Sequence, residues 1–222
     1  EMEEMGHPKA FMLDATKTIE QIADELLACA LISAEVHNLF DESILRMQPV
    51  TNMGEVNKVY IVSTNNHKMI ARVNDIGELP RFKKERWCIE QAERVGIKGA
   101  KVLYVGSDDA QAYMLVSYVE GKRADKTEGA ISKVWRAIGE VAKKIHSVPV
   151  KGFGENLEDM RSGSLKKWND YIAYNIDSLN DHDELLKREI ITPQQSADIR
   201  ERLASLLTID VHLGLSHGDL SL

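Results

Sequence analysis

Near position 120 the spacing of apolar residues changes, and with it the architectures open to this chain. From Ile44 to Val119 they fall in short runs rich in β-branched and aromatic side chains: Ile44 to Val50, Val59-Tyr60-Ile61-Val62, Met69-Ile70-Ala71-Arg72-Val73, Lys101 to Val105 and Ala112 to Val119. Polar turns such as Asn65-Asn66-His67 and Gly106-Ser107-Asp108-Asp109 separate them. That texture predicts antiparallel strands joined by short connections. Beyond position 120 the apolar residues recur three and four apart, the spacing of one stripe on a helix.

The second texture gives three helices and one more strand. Ile131, Val134, Trp135, Ile138, Val141, Ala142 and Ile145 mark a long amphipathic helix, and Leu165, Trp168, Tyr171, Ile172 and Ile176 another. Between them Pro149 and Gly152-Phe153-Gly154 predict a loop. Thr192-Pro193-Gln194-Gln195 is a helix start with a capping threonine, a proline in the first helical position and a glutamine reaching back. Val211, Leu213 and Leu215 alternate as a short strand is expected to. Helices also flank the first texture. Ile19, Ile22, Ala23, Leu26, Leu27 and Ala30 predict one behind Thr16 or Thr18 as cap, with a second short stretch over Ala34 to Phe40. Pro80 opens and Gly96 closes a helix carrying Trp87, Ile89, Ala92 and Val95. The class is α+β. A sheet-bearing domain is expected over residues 1–119, a polar linker or hinge over 120–125, and a helical domain over 126–222.

Charge and cysteine use narrow the partners. The formal net charge is 28 − 35 = −7. An acidic surface argues against nucleic acid and suits a cationic small molecule. Cys29 and Cys88 are far apart and lack metal-ligand spacing, so two reduced thiols are expected. No run reaches the roughly 20 apolar residues that a bilayer span needs, and the acidic start Glu1 to Glu4 is unlike a signal peptide. The expectation is a cytoplasmic protein without membrane association, whose first residue, not Met, reflects processing or an engineered start.

Several residues suggest phosphoryl transfer, which asks a protein chiefly to hold a nucleotide, neutralise its phosphates and orient an acceptor hydroxyl. At the C-terminal end, Leu215-Ser216-His217-Gly218-Asp219-Leu220 places an acid after a tight turn, where it could take a hydroxyl proton. Gly54 lies in a turn between two strands, where backbone amides can approach phosphate, and Asn57 begins the outgoing strand. Arg72 is a cation within an apolar strand and needs a partner if buried; Glu85 in the next helix is the natural one. Ser117-Tyr118-Val119 ends a strand just before the linker, where backbone groups could meet a purine. His146 reads as a packing or helix-end histidine, and His7, His37, His67, His182 and His212 as surface residues.

Taken together, Gly54 through Tyr60, Ile70 through Asn74, Glu85, Tyr113 through Gly121, Ile138 through Gly154 and Leu215 through Leu220 resemble the aminoglycoside phosphotransferase and choline kinase superfamily. Within it, Arg72-Val73-Asn74 and the helix that follows are similar to the hygromycin phosphotransferase branch. The resemblance implies a two-lobed, protein-kinase-like fold, incomplete at its C-terminus, and ATP-dependent phosphorylation of a hydroxyl on a small molecule such as an aminoglycoside antibiotic. A metabolite kinase acting on choline, homoserine or a sugar-like amine, and an inactive kinase-like binding fragment, are the alternatives. It further implies Asp219 as catalytic base with His217 shaping its loop. Gly54, Asn57, Arg72, Glu85, Ser117 and Val119 would contact nucleotide. Magnesium would be held by an Asn and an Asp expected after Leu222, so turnover by the chain as it stands is not expected.

Overall fold

A computed structural model describes residues 18–50, 57–121, 131–179 and 183–217. The chain divides into two compact units, Glu1–Thr127 and Glu128–Leu222.

The first unit is built on a five-stranded antiparallel sheet of β1 (Arg46–Pro49), β2 (Lys58–Ser63), β3 (Lys68–Asp75), β4 (Val102–Ser107) and β5 (Gln111–Ser117), in the order β1-β2-β3-β5-β4. β1 lies at an edge, where Pro49 costs no ladder bond on its outer side. The register pairs Ala71 with Tyr60 on β2 and Leu115 on β5. Alternation along β3 then sends Met69, Ala71 and Val73 to one face and Ile70, Arg72 and Asn74 to the other.

Helix α1 (Ile19–Phe40) covers the first face. Ala28, Ile32 and Val36, four residues apart, pack with Cys29 against Tyr60, Val62, Met69, Ala71, Val73, Tyr113 and Leu115 in one buried cluster. The two helices expected over 19–30 and 34–40 are therefore one of 22 residues. Nothing between them breaks a helix, and Ile32 and Val36 carry the buried stripe across the expected gap. Tyr113 Oη donates to Glu35 at 3.2 Å, and burial, with Glu35 beside it, pushes the phenol well above its usual range.

Helix α2 (Leu79–Arg94) lies on the second face, where Phe82 packs with Ala112, Met114 and Val116. Its end is a Schellman motif. Gly96, at φ +78°, donates to Glu93 at 2.9 Å, and Ile97 donates to Ala92 at 3.0 Å. In the β4–β5 turn the Asp108 carboxylate accepts from Ala110 and Gln111 N–H at 2.8 and 2.6 Å. Those two bonds hold its pKa below the usual value.

The second unit is helical: α3 (Ile131–His146), α4 (Trp168–Ser178), a short α5 (Glu184–Lys187) and α6 (Pro193–Ser205). The capping box at α6 is complete: Gln195 N–H donates to Thr192 Oγ1 at 3.2 Å, and Thr192 N–H to Gln195 Oε1 at 2.8 Å. Helix α5 was not expected. Asp183 makes it by accepting from Leu185 and Leu186 N–H, while its other oxygen accepts from buried Ser196 Oγ at 2.9 Å. The loop between α3 and α4 folds back on itself through Phe153 and Leu165, whose backbones exchange bonds of 2.7 and 3.0 Å. Phe153, Trp168 and Tyr171 then cluster with centroids 5.4 to 5.9 Å apart. No strand forms over 211–215, contrary to expectation. Among the described residues no strand pairs with this run, and Leu215 N–H instead donates to the Val148 carbonyl at 3.0 Å.

Candidate active site

The centre of the candidate site in the first unit is Arg72. The β3 alternation turns it to the α2 face, and the turn at 76–78 brings α2 back over that face. Arg72 Nη1 donates to Glu85 Oε1, with the two side chains 26% and 35% exposed. The guanidinium carbon also lies 5.4 Å from the Phe82 ring centroid, within cation–π range. One helix thus supplies an acid and an aromatic ring, at positions 82 and 85, that fix a half-buried cation. Part of the guanidinium stays open to a ligand, which a fully desolvated pair would not allow.

Asn57 and Asn74 meet beside it. Asn74 Nδ2 donates to Asn57 Oδ1 at 3.1 Å, tying the start of β2 to the end of β3. With Asp24, Lys58, Asp75 and Gln111 they line an open depression of about 370 Å³. Gly54 lies outside the described residues.

The strand end at Ser117 is held on both edges. Ser117 N–H donates to the Lys101 carbonyl at 2.8 Å, and Tyr118 N–H to the Lys68 carbonyl at 3.2 Å. Lys68 Nζ sits 3.7 Å from the Tyr118 ring centroid and 3.6 Å from Glu120 Oε1. Two of the three backbone amides in Ser117-Tyr118-Val119 are therefore committed to the protein. Val119 itself is 56% exposed.

In the second unit, the run into His217 is fitted against the end of α3. A Cβ on Gly214 would come within 2.0 Å of the His146 carbonyl oxygen and 2.9 Å of its Cα, both main-chain atoms with little freedom to move. Together with the Leu215–Val148 bond, this close approach fixes where the run starts. His146 is exposed and contributes backbone only to that contact. His217 is exposed, while Gly218 and Asp219 lie outside the described residues. Among the described residues, no group of three or more His, Cys, Asp or Glu side chains could hold a metal ion. None of the described helices is long and apolar enough to cross a membrane.

Sequence reasoning brought Arg72 and Glu85 together but missed what surrounds them. Phe82 could have been found from its spacing, one helical turn before Glu85. The Lys68 and Lys101 contacts left no local signal, because they join residues far apart in the chain. The need for glycine at 214 is equally silent, since the clash is with a residue 68 positions earlier.

The sequence profile of a phosphotransferase enzyme family matches residues 50–222. The chain belongs to this family. No curated protein matches it in sequence. Among solved structures it is similar to aminoglycoside phosphotransferase APH(4)-Ia, with a TM-score of 0.56, 18% identity, and coverage of 80% of this chain and 59% of that one. A ternary complex of a thermostable mutant of that enzyme with ADP and hygromycin B gives a TM-score of 0.54, 18% identity, and 79% and 58% coverage. A protein assigned as a fructosamine-3-kinase, from Haemophilus somnus 129PT, gives 0.55, 14% identity, and 82% and 62% coverage. The chain thus spans about three fifths of the length of these relatives, and it shares their kinase-like α+β fold.

Proposed function

We propose that this chain is part of an ATP-dependent phosphotransferase acting on a hydroxyl group of a small cationic molecule, an aminoglycoside being the preferred class. The observation that carries the reading is Arg72, a half-buried cation whose direction is set by Glu85 and Phe82 while part of it stays open. Such a group suits a polyanion that must be held in one orientation. The choice of Arg over Lys gives it a planar fork able to engage two phosphate oxygens at once.

In this reading ATP, when bound, supplies the transferred phosphoryl group. Arg72 and the backbone about Gly54 hold its phosphates. Asn57, tied to Asn74, steadies the start of β2 beside them. The Ser117 carbonyl and the Val119 N–H meet the base, since the amides of Ser117 and Tyr118 are already engaged. Asp219 accepts the proton of the acceptor hydroxyl, and His217 shapes the turn that presents it. The net charge of −7 favours a cationic acceptor. Similarity to APH(4)-Ia supports the aminoglycoside class, and similarity to the assigned fructosamine-3-kinase supports a sugar-like amine as the second reading.

The test is ATP consumption by the full-length protein against a panel of aminoglycosides and sugar-like amines. A member of the first group is expected to stimulate turnover. Asp219→Asn should lower it by about a hundredfold or more, with little change in ATP affinity. Wild-type turnover in that variant would remove Asp219 from the role of base, and turnover on sugar-like amines alone would move the substrate to the second class.

A further inference from the structure

Ser117 departs from the usual pattern at the end of β5. In the hydrogen-bonded pairs of an antiparallel ladder, each residue donates its N–H to the other's carbonyl. Ser117 and Lys101 make only half of that exchange with their main chains. Ser117 N–H donates to the Lys101 carbonyl at 2.8 Å, but Lys101 N–H donates to Ser117 Oγ, also at 2.8 Å. A side-chain hydroxyl has taken the place of the main-chain carbonyl. Satisfaction of the Lys101 amide is preserved, and the Ser117 carbonyl is left out of the exchange. One residue on, Tyr118 is pinned to the other edge by the Lys68 carbonyl, with Lys68 Nζ over its ring. The strand end is thereby held rigidly without using the Ser117 carbonyl against Lys101.

We propose that Ser117 is a positioning residue that sets purine selectivity, its hydroxyl closing the ladder with Lys101 so that its carbonyl faces a ligand as a bare acceptor. This rests on the nucleotide-binding reading above. An acceptor there pairs with an exocyclic amine at the purine 6-position and opposes a 6-oxo group, which is itself an acceptor. The device therefore selects adenine over guanine. Without the hydroxyl, the protein acceptor nearest the Lys101 N–H is the Ser117 carbonyl, whose return would restore the ordinary main-chain exchange of an antiparallel pair. That return withdraws the acceptor.

The experiment compares ATP and GTP affinities by titration calorimetry for the wild type, Ser117→Val and Ser117→Thr. The two variants are nearly the same shape and both suit a strand, but only threonine keeps the hydroxyl. The wild type should prefer ATP. In Ser117→Val the ATP-to-GTP preference should narrow by about five- to tenfold, the worth of one hydrogen bond, and Ser117→Thr should restore it. Amide exchange supplies the readout that a merely structural role would not move. If the carbonyl swings back, the Lys101 amide stays protected in Ser117→Val while selectivity falls. An unchanged ATP-to-GTP ratio in Ser117→Val, or equal loss in the threonine variant, overturns the proposal and leaves nucleotide binding standing. A wild type that binds neither nucleotide overturns both readings together.

Discussion

The two faces of β3 do opposite things with the same backbone. Met69, Ala71 and Val73 are almost wholly buried beneath α1 among apolar neighbours. Two residues along from each other on the reverse face, Ile70 packs on the Phe82 cluster, Arg72 pairs with Glu85 and Asn74 bonds Asn57. The first face resembles the interior of any sheet protein and answers only to volume. The second carries polar groups whose partners come from α2 and from the start of β2. What the difference teaches is a division of labour within eight residues. The α1 side supplies the stability that lets the α2 side keep a cation partly unsatisfied.

That division can be broken most forcefully at Leu115, fully buried on the α1 side. Leu115→Ala should cost about 2–5 kcal/mol of unfolding free energy, measured by urea denaturation, while nucleotide affinity of the folded fraction stays unchanged. Loss of affinity in step with stability would mean that the faces are not independent. On the other side, Arg72→Ala should weaken ATP binding about ten- to a hundredfold, the range for a hydrogen bond to a charged group. Because it also strands Glu85, the double variant Arg72→Met, Glu85→Leu sharpens the comparison: it should recover stability but not binding. Unchanged affinity in either variant would take Arg72 out of the phosphate site.

A smaller effect concerns the rim that joins the two faces. Hydrogen bonds from Thr64 and then Asn66, with His67 contributing, hold the Glu42 carboxyl down to about 2, and Asn66 Nδ2 lies 2.6 Å from it. Since the folded pKa is below that of a free glutamate, about 4.3, the stabilisation is present above that value and is lost as pH falls toward 2. Melting temperature should therefore drop over that window in the wild type, and Glu42→Gln should flatten the drop. An identical acid profile in the variant would show that this carboxylate plays no part in fastening the β2–β3 turn to the end of α1.

Features set by neighbours in the chain were the ones legible in the sequence. The Thr192 capping box, the Gly96 stop, the β2–β3 and β4–β5 hairpins and the Arg72–Glu85 pairing all follow from short-range spacing, or from one strand feeding the next helix. Where the reading failed, long-range packing decided the outcome. The reading left a gap at 31–33 between two expected helices, but burial of Ile32 and Val36 against the sheet keeps α1 whole. The alternation of Val211, Leu213 and Leu215 satisfied the local rule for a strand, yet a strand needs a partner edge, and none of the described elements offers one there. Helix α5 is too short for periodicity to find; its signal was Asp183 as cap. In the candidate site the charged pair was foreseeable, whereas the bond from Lys101 N–H to Ser117 Oγ depended on Lys101, 16 residues earlier, being drawn opposite it by a bulged hairpin.

The contact between Gly214 and the carboxyl end of α3 has a practical corollary for protein engineering. A designer who transplants the segment preceding His217 into another scaffold must carry the last turn of α3 with it, because the two backbones are moulded to each other and only a hydrogen fits between them. Saturation of codon 214, scored by soluble yield, should return glycine almost alone, a fingerprint for deciding which distant sequences share this junction.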